Sequence, residues 1–191
     1  MKKFFGKLVI TAILTLLFAI VLPNTAYAEI HSGSYDGNVY WSYNTETKEL
    51  RFSGTGEVRF DESWWQKVQD NATSVVVESG ITGIGRGLGN TRMTKISIPN
   101  TVTYIGAEAF GSCSELESIQ IPSSVTSIGD NAFNRCKKLV SVTIPGSVKT
   151  VGDWVFAECE NLETVVFQRG VETIGMHPFD GCQKLKTVTL P

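Results

Sequence analysis

Histidine is scarce in this sequence, with two in 191 residues, and its four cysteines include no CxxC pair. Zinc sites draw on closely spaced His and Cys ligands, and catalytic triads need an imidazole beside a nucleophile. His31, near the start, and His177, next to Pro178, have no such spaced partner. Basic charge is also in short supply: 17 Lys and Arg stand against 19 Asp and Glu. A chain without a basic surplus lacks the electrostatic footprint that a nucleic-acid backbone requires, so no nucleic-acid partner is expected. A phosphate-cradling loop is missing too. "GIGRGLGN", Gly83 to Asn90, places Leu88 where GxGxxG needs its third glycine, and no GK[ST] follows. Asp61 and Glu62 have nothing around them that suggests glycoside hydrolysis. The chain is expected to be no enzyme, with no cofactor and no metal.

Beyond Leu22 no hydrophobic stretch approaches the roughly 20 apolar residues of a spanning helix. What precedes it has three parts: Lys2, Lys3 and Lys7, then Leu8 to Leu22, apolar but for two Thr, then Ala26-Tyr27-Ala28. That is the pattern of a bacterial-type secretory signal peptide cleaved after Ala28. The remainder is a secreted or cell-surface protein without stable membrane insertion, and it is more acidic than the whole chain's −2.

The rest of the chain repeats itself. From Val102 it reads "VTYIGAEAFGSCSELESIQIPSS", "VTSIGDNAFNRCKKLVSVTIPGS", "VKTVGDWVFAECENLETVVFQRG" and "VETIGMHPFDGCQKLKTVTLP". Each line keeps Val first, then Ile or Val, Gly, Phe, Cys and Leu at fixed offsets, with a period of 23 residues. A degenerate copy, "ITGIGRGLGNTRMTKISIPNT", precedes them, and "SVVVESG" is a partial one. A period of this length with one strand per repeat marks a leucine-rich-repeat solenoid. In "LVSVTIP", Val142 and Ile144 face inward while Ser141 and Thr143 face out, as the pleat dictates. In "SIGDNAFNRC", Gly129 allows a bend, Asp130 caps a short helical turn, and Ala132, Phe133 and Cys136 recur at helix-like spacing. The expected fold is therefore a solenoid of 23-residue repeats, each one β-strand plus one short helical turn.

Stacking puts like residues over like. Cys113, Cys136, Cys159 and Cys182 then form a column about 4.8 Å per step, with parallel side chains. Small buried hydrophobes are one reading; pairing such as Cys113 with Cys136 is another, although parallel Cβ vectors fit a disulfide badly. Opposite charges share registers as well: Glu115 with Lys138, Arg135 with Glu158, Lys137 with Glu160, Glu163 with Lys186. Asp130 and Asp153 are a like-charged exception that a helix start tolerates.

Residues 29–74 do not follow the period. "GNVYWSY" and "KELRFSGTGEVRF" read as strands joined by "NTETK", in a segment holding Trp41, Trp64 and Trp65. An array needs a cap over its first rung, and this segment supplies an N-terminal β-rich lid. A Trp-lined carbohydrate or peptide site is the alternative. The organisation is thus 1–28 signal peptide, 29–74 cap and 75–191 repeat array.

"SVTSIGDNAFNRCKKLVSVTIPGSV" resembles the repeat of BspA-like leucine-rich-repeat proteins, and the Trp-containing leader is similar to the one that often introduces such repeats. In the general LxxLxLxxN/CxL pattern the Asn/Cys position falls here on Ser124, Ser147 and Gly170. The resemblance implies a surface or secreted protein whose repeats bind other proteins or mediate host and matrix adhesion. It also admits a repeat segment of a larger extracellular enzyme, or a structural envelope component. The outward strand face is the candidate ligand surface: Ser118, Gln120, Ser141, Thr143, Thr164, Val166, Thr187 and Thr189, hydroxyl-rich and nearly neutral. Its partner would be a protein or a glycan. N-terminal sequencing of the exported protein should begin at Glu29; a start at Met1 would overturn the cleavage assignment.

Overall fold

The computed structural model describes residues 29–191 apart from Gly37, Gln69 and Asp70, so the signal-peptide assignment lies outside the described residues. Alternating burial builds the first strands. β1 (Ile30–Tyr35) pairs antiparallel with β2 (Val39–Asn44), and β2 with β3 (Glu49–Gly54). Val39, Trp41 and Tyr43 are buried and Tyr40 between them is exposed, the pleat's own period. In the "NTETK" turn, Asn44 Oδ1 accepts the backbone N–H groups of Glu46 and Thr47, both at 2.9 Å. β1 is an addition to the expected pair of strands. In "IHSGSY" only Tyr35 is buried, so hydrophobic alternation could not announce it.

β4 (Gly56–Val58) leads to α1 (Glu62–Val68), where Trp64 is fully buried and meets the Phe52 ring edge-on at 5.4 Å. Next come β5 (Ser74–Val77), β6 (Ile81–Ile84), β7 (Lys95–Ser97), β8 (Tyr104–Ile105) and β9 (Ser127–Ile128). The chain finishes with β10 (Ser141–Ile144), β11 (Thr150–Val151), β12 (Thr164–Phe167), β13 (Thr173–Ile174) and β14 (Thr187–Thr189). From β3 onward every strand pairing is parallel. One side carries the longer strands in two sheets, β1-β2-β3-β5-β7 and β10-β12-β14. Another carries the short strands in the order β13-β11-β9-β8-β6-β4. The antiparallel hairpin therefore extends the longer-strand sheet at the N-terminal end of the parallel stack.

The third side of each coil corrects the expectation of a helical turn. These segments are turns without α-helix, because alternate N–H groups donate to the neighbouring coil rather than along the chain. Asn131, Phe133 and Arg135 donate to the carbonyls of Asp153, Val155 and Ala157 at 2.8–2.9 Å. The N–H groups between them bond locally, as Asn134 does to Asn131 and Cys136 to Phe133. Serving two directions at once requires left-handed backbone at fixed points: Glu108 and Ser112, Asn131 and Arg135, Trp154 and Glu158 all have positive φ. Asp130 is corrected as well. It caps no helix; its Oδ1 accepts the N–H of Asp153 at 2.9 Å, and Asp153 Oδ1 accepts that of Met176 at 2.7 Å. Gly129 is needed for clearance, since a Cβ there would lie 2.5 Å from the Ala107 nitrogen of the coil below.

The core is a set of columns. Phe110, Phe133 and Phe156 are fully buried and stack nearly parallel, with centroids 5.3 and 5.4 Å apart. Val142 and Ile144 point inward, as expected from the alternation. The departure from the Asn/Cys pattern has a mixed outcome. Ser124 Oγ donates to Val102 O at 2.7 Å, Ser147 Oγ is buried without a partner, and Gly170 has a positive φ of 121°. Phe133→Ala, which removes the middle ring of the stack, should cost about 3–5 kcal/mol in chemical denaturation. A loss under about 1 kcal/mol would contradict a continuous aromatic column.

Candidate functional site

The period-two pleat places the outward residues of β10, β12 and β14 in two columns. Ser141, Thr164 and Thr187 are register partners, and so are Thr143, Val166 and Thr189. Thr164 and Val166 are half-buried, whereas Ser141, Thr143, Thr187 and Thr189 are exposed. Ser118 joins the first column through a single isolated bridge to Ser141. Gln120 lies beside the second column but outside any strand. The eight residues thus share one face, but they are not one continuous ladder.

The break has its own geometry. Between β7 and β10 the longer-strand face is interrupted, where a coil offset of 21 residues gives way to offsets of 23. A groove opens there, lined by Ile96, Ile98, Ser118, Ile119, Gln120 and Thr143. Ile96, Ile98 and Ile119 are half-buried, although Val142 and Ile144, in matching registers further along, are buried. Sequence reasoning missed these isoleucines because they occupy inward positions. The shortened repeat was the visible signal that the stack changes step.

Charges on neighbouring coils are matched within the chain at four registers. All four expected register pairs form: Lys138–Glu115 at 2.6 Å, Lys137–Glu160 at 2.7 Å, Lys186–Glu163 at 2.9 Å and Arg135–Glu158 at 3.0 Å. Their hydrogen bonds hold the Glu115, Glu158 and Glu163 carboxyls below the usual carboxylate range. Pairs exposed in this way are screened by solvent and add little to stability.

The cysteines carry no such surface role. Cys113, Cys136 and Cys159 are buried, Cys182 is half-buried, and all four are free thiols. Each donates to a carbonyl one coil back: Leu88, Phe110, Phe133 and Phe156 O, at 3.0–3.3 Å. Thr91 occupies the position before the column, donating to Leu88 O at 2.8 Å. Burial pushes the Cys113 thiol from its ordinary 9.0 up to about 11 and raises the other three as well. A thiol so held is a poor nucleophile and a poor metal ligand. His31 lies 3.7 Å from Glu29, and His177 stacks on Trp154 at 4.5 Å. The described residues contain no group of three His, Cys, Asp or Glu able to hold a metal ion. No helix among them is long and apolar enough to cross a membrane.

A second depression lies on the turn side, where Phe60 and Trp65 face Asn90, Asn131 and Asn134. It joins the leader to three different repeats, so no single stretch of sequence announces it.

Residues 87–191 match, in six copies, the family model for the BspA type leucine rich repeat region. A solved leucine-rich-repeat protein from T. pallidum is similar, with 22% identity and a TM-score of 0.64, over 83% of this chain and 71% of its own. A leucine-rich cell-surface protein from Faecalibacterium prausnitzii shares 24% identity with a TM-score of 0.56, over 86% of this chain and 55% of its own. A search of curated proteins found no match.

The buried column makes an alkaline prediction. Below about pH 9 the thiols stay protonated, folded or unfolded, and their contribution is complete. As pH rises from 9 towards 11 the unfolded chain ionises first, so stability falls. Tyr35 and Tyr104, each pushed from 10.0 up to about 12 chiefly by burial, extend that loss. Denaturation midpoints measured across this range should decline, and iodoacetamide should label the buried Cys113, Cys136 and Cys159 only after unfolding. Rapid labelling of Cys136 in the native protein would refute the column.

Proposed function

Since the chain belongs to the BspA-type leucine-rich-repeat family, we propose that it is an exported, non-catalytic binding module that engages a protein partner through its longer-strand face, in adhesion to host or matrix proteins. One observation carries this reading. Lys138 and Glu115, and Lys186 and Glu163, at the entry to the strands are paired with one another, while the hydroxyl columns and the groove between β7 and β10 remain open to an outside partner. Ser118, Gln120, Ser141 and Thr143 border the groove, and Thr164, Val166, Thr187 and Thr189 extend the surface beyond it. Uncharged hydroxyl and amide groups supply hydrogen bonds, and the half-buried isoleucines supply apolar area. Residues 29–74 act in this reading as the cap that lets the array stand with its first coil covered. Export follows the signal-peptide pattern, to a secreted or cell-surface location like that of the similar leucine-rich cell-surface protein.

Surface plasmon resonance tests the proposal, with purified extracellular-matrix glycoproteins titrated over the immobilised protein. Saturable binding is expected, weakened at least about tenfold by Ser141→Arg combined with Thr164→Arg, at unchanged melting temperature. Binding that ignores both arginines would move the site off this face. No saturable response to any matrix protein would overturn adhesion in favour of a structural role.

A further inference from the structure

The turn-side depression has a composition unlike that of the strand face. Its wall is an aromatic corner: the Phe60 and Trp65 rings lie 5.7 Å apart, tilted by 57°. Trp65 is braced edge-on by buried Trp64 at 5.6 Å, and Phe60 is 49% exposed. Opposite stand the amides of Asn90, Asn131 and Asn134. Asn134 Nδ2 donates one hydrogen to Ala157 O at 3.2 Å, which leaves its carbonyl oxygen and second N–H for a ligand. No described residue hydrogen-bonds the side-chain amide of Asn90 or Asn131. Two guanidinium groups reach the rim, but both are already engaged. Arg86 holds Glu108 at 2.8 Å, and Arg135 holds both carboxylate oxygens of Glu158 at 3.0 Å. A rim neutralised in this way does not select an anion.

The floor is opened by an absence that packing does not require. Gly111 shares its register with Gly89 on the coil before and with Asn134, Ala157 and Asp180 on the coils after, so the later coils carry a side chain there. Its φ is not positive, and a Cβ on it would meet nothing closer than 3.6 Å. Gly87 and Gly89 differ, for a Cβ on them would fall 2.4 Å from Phe60 N and 2.7 Å from Gly111 O. Those two glycines serve the close approach of coils. Gly111 has no such packing reason, and it lines the cavity.

An aromatic corner facing planar amides matches a ring with one apolar C–H face and a rim of hydroxyls. We propose that this depression binds a neutral hexopyranose unit of a glycan, its C–H face on Phe60 and Trp65 and its hydroxyls on Asn90, Asn131 and Asn134. The site lies apart from the strand face and stands or falls independently of it.

Saturation-transfer NMR on the purified protein tests this, with neutral oligosaccharides of glucose, galactose, mannose and N-acetylglucosamine and a sulfated heparin fragment as probes. Tryptophan fluorescence gives the affinities. At least one neutral probe should bind saturably at millimolar concentration. Gly111→Asn, which installs the side chain the next coil already carries, should weaken it at least about tenfold, and Phe60→Ala likewise. Phe60→Ala decides the matter alone should Gly111→Asn lower the melting temperature. Binding to the sulfated probe only, binding to no neutral probe, or affinity within about twofold of the parent in Phe60→Ala would each overturn the assignment.

Discussion

Hydrogen bonding between successive coils, at the spacing of paired strands, is the constraint on which everything else in this molecule rests. It runs along all three sides: the longer strands, the short strands, and the turns, where every second N–H crosses to the next coil. With that spacing set at about 4.8 Å, each position in a repeat has no choice but to touch its own counterpart. Phenylalanine must accept phenylalanine, and thiols must lie over thiols. Like charges would repel through the whole stack, which is why Arg135 meets Glu158 and Lys138 meets Glu115. Asp130 and Asp153 escape that rule because each carboxylate takes a backbone N–H of the coil that follows.

The same constraint steers function away from the interior and towards irregularities. A column of identical groups is uniform, buried and chemically quiet, as the raised thiols demonstrate. A periodic exterior presents one repeated chemistry and therefore little discrimination. Two places break the repetition. On the strand side the ladder lapses between β7 and β10 and leaves half-buried isoleucines beside hydroxyls. On the turn side the leader brings aromatic rings against amides over a missing side chain at Gly111. Both sit where the regular stack meets something shorter or different.

Much of this was legible in the residues. The period, the inward placing of Val142 and Ile144, the buried cysteines and the four register ion pairs all follow from one rule, that equal offsets superimpose. The turn segments misled for a definite reason. Ala132, Phe133 and Cys136 are spaced as on a helix, yet the same spacing serves a turn whose alternate donors leave the coil. Which partner an N–H chooses depends on a coil 22 residues away, and local pattern carries no record of it. β1 was hidden similarly, since a strand on the edge that buries one side chain shows no alternation.

By itself, the amino-acid sequence determined the stack: its period, its core columns and the pairing of its charges, because repetition in one dimension forces repetition in three. Only the tertiary structure decided the left-handed turns, the lapse between β7 and β10, and the meeting of Phe60 and Trp65 with Asn131. Those features arise between coils or between leader and repeat, where the outcome turns on how far apart two backbones settle rather than on the identity of any one residue.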